Sequence, residues 1–121
     1  MRFLPTRIHG IIDYLWGAAL LITPLALGFP LGSAASWIAL VFGAGAILYS
    51  LLTRYEVGLV PLIPMPVHLG LDAVAGLVLA ALPFLVTLDA TAGRIFIGFG
   101  LFAVVASLVT RTRPAGGPVG L

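Results

Sequence analysis

Four long runs of apolar residues account for most of the 121-residue chain, and short stretches rich in glycine, proline or polar residues separate them. The runs cover residues 8–27, 34–54, 66–86 and 91–111. Each run is long enough to cross a membrane, because a helix needs about 20 apolar residues to span the hydrocarbon core. The short connections favour antiparallel neighbours. The pattern therefore predicts an all-α membrane protein with four transmembrane helices.

The second half of the chain repeats the first half. Six residues in or beside the first run recur 59 positions later, and six residues of the second run recur 57 positions later. The first set is Pro5, His9, Asp13, Gly17, Leu20 and Pro24. Because each copy holds two helices, both copies insert in the same orientation, as parallel repeats. We therefore expect two tandem hairpins, residues 1–60 and 61–113, followed by a flexible tail at 114–121.

Composition and charge agree with a membrane protein. Hydrophobic residues make up 61% of the chain and charged residues 8%, whereas a soluble domain carries about 25% charged residues. Five of the six arginines fall on one side of a four-span topology, and only Arg94 falls on the other. The positive-inside rule then places both termini in the cytoplasm. The arginines form no stripe on a soluble face, so a nucleic-acid partner is not expected, and the absence of cysteine excludes disulfides and sulfur-ligated metals.

A histidine and an aspartate lie one helical turn apart in the first run and again in the third, so each pair shares a helix face. An ionised carboxylate inside a span costs about 2.5–3.5 kcal/mol on insertion scales, so it must be paired, neutral or in contact with water. Arginines at the ends of the second and fourth runs are candidate partners, as are the neighbouring histidines. The candidate polar-cluster residues are His9, Asp13, His68, Asp72, Arg54 and Arg111.

Three hypotheses follow for these residues. Their contacts can act as internal fasteners that tie each hairpin together, since polar side chains hold membrane helices to one another. Alternatively, His9 and His68 face each other at equal depth and ligate a haem, a chlorophyll-type pigment or a metal ion. A third possibility is proton transfer through Asp13 and Asp72, because histidine with aspartate is a pairing used in proton relays. No nucleophile–base–orienter set is present, so no catalytic residue is assigned and an enzyme is not expected.

Other residues within the runs are expected to serve helix packing and membrane anchoring. Glycines let helix backbones approach closely in membranes. Trp16 and Trp37 are expected to contact lipid or the interface. The packing glycines are Gly10, Gly17, Gly43, Gly45, Gly70, Gly76, Gly98 and Gly100.

Two motifs carry a resemblance to a known family. The segments are His-Gly-Ile-Ile-Asp-Tyr at 9–14 and Met-Pro-Val-His-Leu-Gly-Leu-Asp at 65–72. With the prolines that follow them, they make the chain similar to the SPW-repeat bacterial membrane proteins and to a related group with the same motifs. The name-giving Ser-Pro-Trp is replaced by Thr-Pro-Leu at 23–25 and by Leu-Pro-Phe at 82–84.

The resemblance implies a four-helix protein of the bacterial inner membrane, with no established activity from which a catalytic residue could be transferred. We therefore expect a non-enzymatic structural or accessory subunit. Its surroundings would be the lipid bilayer together with other membrane proteins or further copies of itself.

Overall fold

The computed structural model describes residues 1–114 and contains four α-helices. All four helices are long and apolar enough to cross a membrane. They confirm the prediction of an all-α, four-helix membrane fold. Their bounds are Thr6–Leu27 (α1), Ala34–Leu51 (α2), Met65–Leu85 (α3) and Ala90–Val109 (α4). The division into domains at residues 60 and 113 stays a prediction, and the predicted tail lies outside the described residues except for Pro114.

Helices α2 and α4 end earlier than predicted, at Leu51 and Val109, because another segment takes over the hydrogen bonds at each end. After α2, Arg54 N donates to Ile63 O at 2.8 Å. After α4, Arg111 N donates to the carbonyl of Leu4 at 2.9 Å. Isolated parallel bridges, Thr53 with Ile63 and Leu4 with Thr110, mark the two places. The residues leading into α3 are thus tied to the end of α2, and those leading into α1 to the end of α4.

Glycine pairs set the packing of α1 on α2 and of α3 on α4. A Cβ built on Gly43 would lie 2.8 Å from the Gly17 carbonyl oxygen, and one on Gly17 would lie 2.9 Å from the Gly43 oxygen. Gly76 and Gly100 oppose each other in the same way between α3 and α4. These contacts confirm the expected role of small residues in close helix approach. Three other glycines make no such contact within the described residues, since a Cβ added there would meet nothing within 4 Å: Gly45, Gly70 and Gly98.

The interior divides into an apolar part and a polar part. Leu20, Leu79 and Phe96 are fully buried in the apolar core. Towards the end of the bundle where α1 and α3 begin, the segment 52–64 folds over the helices, and Tyr55 packs there against Met65 and neighbouring apolar side chains. Polar side chains of α1 and α3 lie between the apolar core and this covering segment.

Candidate functional site

Four of the six predicted residues meet in one buried group, which we call the His–Asp cluster: His9, Asp13, His68 and Asp72. Their side chains lie in the first two turns of α1 and α3. Each residue is at most 9% exposed. One potential ligand atom from each residue lies within 4.8 Å of the others. The repeated pairs seen in the sequence thus form a single site in the fold.

The shortest contacts in the cluster join the two hairpins. His9 Nε2 lies 2.7 Å from Asp72 Oδ2, and His68 Nε2 lies 2.9 Å from Asp13 Oδ2. The contacts within each i, i+4 pair are longer, at 3.1 Å for His9 with Asp13 and 3.3 Å for His68 with Asp72. The hypothesis that these contacts tie each hairpin together internally therefore needs correction. Their main effect is to fasten the first hairpin, α1–α2, to the second, α3–α4.

A threonine at the end of the opposite hairpin holds the other nitrogen of each ring. His9 Nδ1 lies 2.7 Å from Thr110 Oγ1, and His68 Nδ1 lies 2.7 Å from Thr53 Oγ1. Both hydroxyls donate their hydrogen to a backbone carbonyl one turn earlier, each at 2.6 Å. Because that hydrogen is already used, each threonine oxygen accepts a bond from the ring. The contacts therefore assign a hydrogen to Nδ1 in both histidines.

Two tyrosines of the first hairpin donate hydrogen bonds to the carboxylates of the cluster. The Tyr49 hydroxyl donates to Asp72 Oδ1, and the Tyr55 hydroxyl donates to Asp13 Oδ2 at 2.8 Å. Tyr55 belongs to the covering segment, outside the helices. Burial and the nearby carboxylate of Asp13 raise the pKa of Tyr55 far above its ordinary value, because both disfavour the phenolate. The phenol therefore remains a hydrogen-bond donor to the cluster.

The hydrogen-bond pattern fixes the proton count of the cluster. With Nδ1 already protonated, Nε2 of each ring faces a carboxylate oxygen, and a hydrogen bond needs one proton between the two atoms. Two such contacts place two shared protons among two histidines and two aspartates. The sum of charges is zero whether each proton sits on nitrogen or on oxygen. A neutral, fully hydrogen-bonded group avoids the cost of an unpaired charge within a span.

The two arginines predicted as partners do not join the cluster. Arg54 is exposed, and its Nε donates to the Pro61 carbonyl at 2.9 Å. Arg111 is also exposed, beyond the end of α4. Both residues follow the bridges described above, where the chain has left the helix and turned outward. The prediction of Asp–Arg pairing is therefore corrected, because histidine and tyrosine supply the donors.

Sequence reasoning missed three contributors to this region. Tyr55 lies between the second and third apolar runs, and its charged neighbours Arg54 and Glu56 give no sequence signal that it bonds an aspartate. Thr53 and Thr110 bond helix carbonyls and also accept from the histidines, a role for which the sequence carries no signal. Trp16, which is predicted to contact lipid or the interface, is half-buried, and its Nε1 also donates to the Phe99 carbonyl of α4 at 3.1 Å.

Two cavities adjoin the site. The first, of about 20 Å³, borders His9, Asp13 and Asp72 together with Tyr49 and apolar side chains. That volume accommodates about one water molecule. The second is an open groove of about 620 Å³ between α1 and α4, which we call the α1–α4 groove. It is lined by Ile12, Leu15, Trp16, Arg94, Ile95, Gly98, Phe99 and Phe102.

The family follows from comparison of the whole chain. A family model of the SPW repeat domain matches residues 7–110, which include all of the His–Asp cluster. The chain belongs to the SPW repeat family. In this SPW repeat protein, the prolines of the two altered tripeptides, Pro24 and Pro83, lie inside α1 and α3 close to the ends remote from the cluster. No curated protein and no solved structure matches the chain.

Proposed function

We propose that this SPW repeat protein is a non-enzymatic accessory subunit of the bacterial inner membrane, which packs through the α1–α4 groove against an apolar transmembrane helix. The observation that carries the proposal is the groove itself. Its lining is almost entirely apolar, and it opens outward on a helix surface long enough to face lipid. The polar side chains of the cluster, in contrast, are buried and bonded to one another.

Gly98 makes the groove suitable for a helix. A Cβ built at this position would meet nothing within 4 Å among the described residues, so the glycine serves no contact inside them. Small residues on a membrane helix allow a second backbone to approach closely. A groove with aromatic and aliphatic walls around such a glycine suits an apolar helix. That helix can come from another membrane protein or from a second copy of the chain.

The proposed orientation places both termini in the cytoplasm. Arg2, Arg7, Arg54 and Arg111 lie at or near the helix ends where the two bridges form, and Arg94 lies in the first turns of α4 at the opposite end. Cytoplasmic segments of membrane proteins carry an excess of arginine and lysine. The end of the bundle that holds the covering segment would therefore face the cytoplasm.

The geometry disfavours a haem or pigment between the histidines. Their ring centroids are 5.5 Å apart, and the adjoining cavity measures about 20 Å³. Pockets for ligands of drug size run to about 300–1,000 Å³. Proton transfer across the bundle is also disfavoured, because the hydrogen-bonded residues lie near one end and fully buried Leu20, Leu79 and Phe96 fill the apolar core beyond them.

Substitution of Gly98 tests the accessory role. Gly98→Leu fills the groove without disturbing an internal contact, and Gly45→Leu adds the same side chain at another position with open space around it. Cross-linking in native membranes, followed by size analysis in mild detergent, measures association. We expect a stoichiometric partner or dimer that Gly98→Leu reduces at least several-fold and Gly45→Leu leaves intact. A chain that stays monomeric and without a partner in membranes refutes the proposal, as does equal loss in both variants.

A further inference from the structure

We propose that the His–Asp cluster is a binding site for one divalent transition-metal ion of the zinc type. Nε2 of His9 and of His68 would provide two ligands, and one carboxylate oxygen each from Asp13 and Asp72 would provide the other two. Imidazole nitrogen and carboxylate oxygen are both ligands of Zn²⁺, which favours four-coordinate tetrahedral sites. The site goes beyond the accessory role, since a metal-free cluster would still fasten the hairpins.

The nitrogen–oxygen distances in the cluster are close to those around a tetrahedral ion. Bonds of about 2.0–2.1 Å to nitrogen and oxygen place the ligands of a tetrahedral ion about 3.3–3.4 Å apart. Asp72 Oδ2 lies 2.7 Å from His9 Nε2 and 3.3 Å from His68 Nε2, and Asp13 lies 3.1 Å from His9 Nε2 through Oδ1 and 2.9 Å from His68 Nε2 through Oδ2. One ligand atom from each of the four residues lies within 4.8 Å of the others. Insertion of an ion therefore requires the shortest contact to lengthen by about 0.7 Å and the widest ligand separation, at most 4.8 Å, to shorten by up to about 1.4 Å. Rotation of the carboxylates provides such a shift without a change in the helix packing.

The orientation of the rings is the one that metal binding requires. Metal-bound histidine usually donates its other ring N–H to a neighbouring acceptor, which fixes the tautomer and the ring plane. Here Nδ1 of His9 donates to Thr110, and Nδ1 of His68 donates to Thr53. In each neutral ring this leaves the Nε2 lone pair directed at the centre of the cluster.

The carboxylates have outer partners too. Tyr49 donates to Asp72 Oδ1, so that Oδ2, the atom nearest both histidines, remains for the ion. Tyr55 donates to Asp13 Oδ2, while Oδ1 of the same group faces His9. Hydrogen bonds to ligating carboxylates orient them in metal sites. All four proposed ligands are therefore oriented by groups that belong to other elements.

Charge balance makes the exchange of protons for metal feasible in a membrane. The metal-free cluster holds two shared protons and is neutral. Two aspartates, two neutral histidines and one divalent cation also sum to zero, so M²⁺ enters as two protons leave. The titratable groups that face the cluster from other elements are Tyr49 and Tyr55, which keep their protons in this exchange. The cavity of about 20 Å³ beside His9, Asp13 and Asp72 provides room for one further small ligand such as water.

Metal titration of the purified protein tests the site. The chain, carrying a purification tag without histidine, is stripped of metal in mild detergent and titrated with Zn²⁺ and with Co²⁺. We expect one ion per chain, the release of two protons per ion, and the intense visible absorption of tetrahedral Co²⁺. Since the chain has only two histidines, imidazole scattering in the X-ray absorption spectrum would assign the ion to this cluster. Apparent affinity should rise by up to ~100-fold per pH unit while two protons are displaced.

A matched pair of carboxylate variants locates the ion. Asp72→Asn removes one proposed ligand, whereas Asp89→Asn changes the residue that caps α4 at the other end of the bundle, where asparagine caps equally well. We expect Asp72→Asn to lose stoichiometric binding and Asp89→Asn to retain it. Failure of the wild-type chain to bind one ion, or equal binding by both variants, overturns the site. If Asp72→Asn does not fold, the wild-type protein alone decides. Weak Co²⁺ absorption bands of octahedral type, together with no imidazole scattering in the X-ray absorption spectrum, would then overturn the site.

Discussion

Three buried threonines provide a direct measure of what the histidine contacts contribute. Thr23, Thr53 and Thr110 each donate a hydrogen bond to the carbonyl four residues earlier. The last two also accept from His68 and His9, whereas Thr23 lies near the opposite end of α1. Substitution by valine keeps the shape of each side chain and removes the hydroxyl. The three variants therefore differ mainly in whether a histidine N–H loses its acceptor.

The expected magnitudes follow from that difference. Thr53→Val leaves the Nδ1–H of His68 without a partner in a site where that ring is fully buried. An unsatisfied buried donor costs about 1–3 kcal/mol. Thr110→Val should cost the same through His9. Thr23→Val removes only the bond within its own helix, and we expect a change below about 0.5 kcal/mol, as for substitutions away from such features.

Reversible unfolding in mixed detergent micelles, followed by circular dichroism, measures the three free energies of unfolding. The ¹⁵N chemical shifts of the two imidazoles provide a second readout, because loss of the acceptor changes the environment of Nδ1 in only one ring per variant. If Thr53→Val and Thr110→Val are no more destabilising than Thr23→Val, the hydroxyls do not accept from the rings. The assignment of the tautomers, and with it the proton count of the cluster, would then be wrong.

Three further predictions test other parts of the structure. Tyr55→Phe should destabilise the protein by about 1.5–3 kcal/mol, since the hydroxyl bonds to a carboxylate. Because the pKa of Tyr55 is raised in the folded state, this contribution should be complete below about pH 10 and lost as the pH rises further. Unfolding experiments on both proteins over a range of pH would measure it. Gly43→Ala should destabilise the protein, because the added methyl group collides with α1. Gly45→Ala has open space around it and should stabilise the protein by less than about 1 kcal/mol. Equal effects on the free energy of unfolding would contradict the glycine packing. A double-mutant cycle on His9 and Asp72 should give a coupling of about 0.5–3 kcal/mol, and a cycle with no coupling would contradict the contact between the hairpins.

The helices could be predicted from the sequence because their cause is local. An apolar run of sufficient length in a membrane must satisfy its own backbone hydrogen bonds, and a helix does so within the run. The ends of α2 and α4 could not be predicted in this way. They depend on the carbonyl of Ile63, in the connection between α2 and α3, and on that of Leu4, which is far from α4 in the sequence.

The sequence predicts which residues form the cluster but not which of them bond to each other. Repetition marked His9, Asp13, His68 and Asp72 as polar residues at equal depth, and the fold brings those four together. Which donor meets which carboxylate depends on how far each helix is rotated about its axis, and a single sequence does not record that angle. Arg54 illustrates the limit: it lies at the correct depth, yet the chain has already left the helix there.

The pairing across hairpins implies that the protein folds as one cooperative unit. An isolated α1–α2 hairpin would bury His9 without Thr110 or Asp72, and Asp13 without His68. In hydrocarbon, such polar groups have no water to replace the missing partners. Further contacts join the two hairpins where α1 begins and α4 ends, since Arg2 donates to the Ser107 and Thr110 carbonyls at 2.7 Å each. A hairpin separated from its partner is therefore expected to lose its structure around the histidine, because the shortest contacts of both nitrogens of each ring are made with the other hairpin.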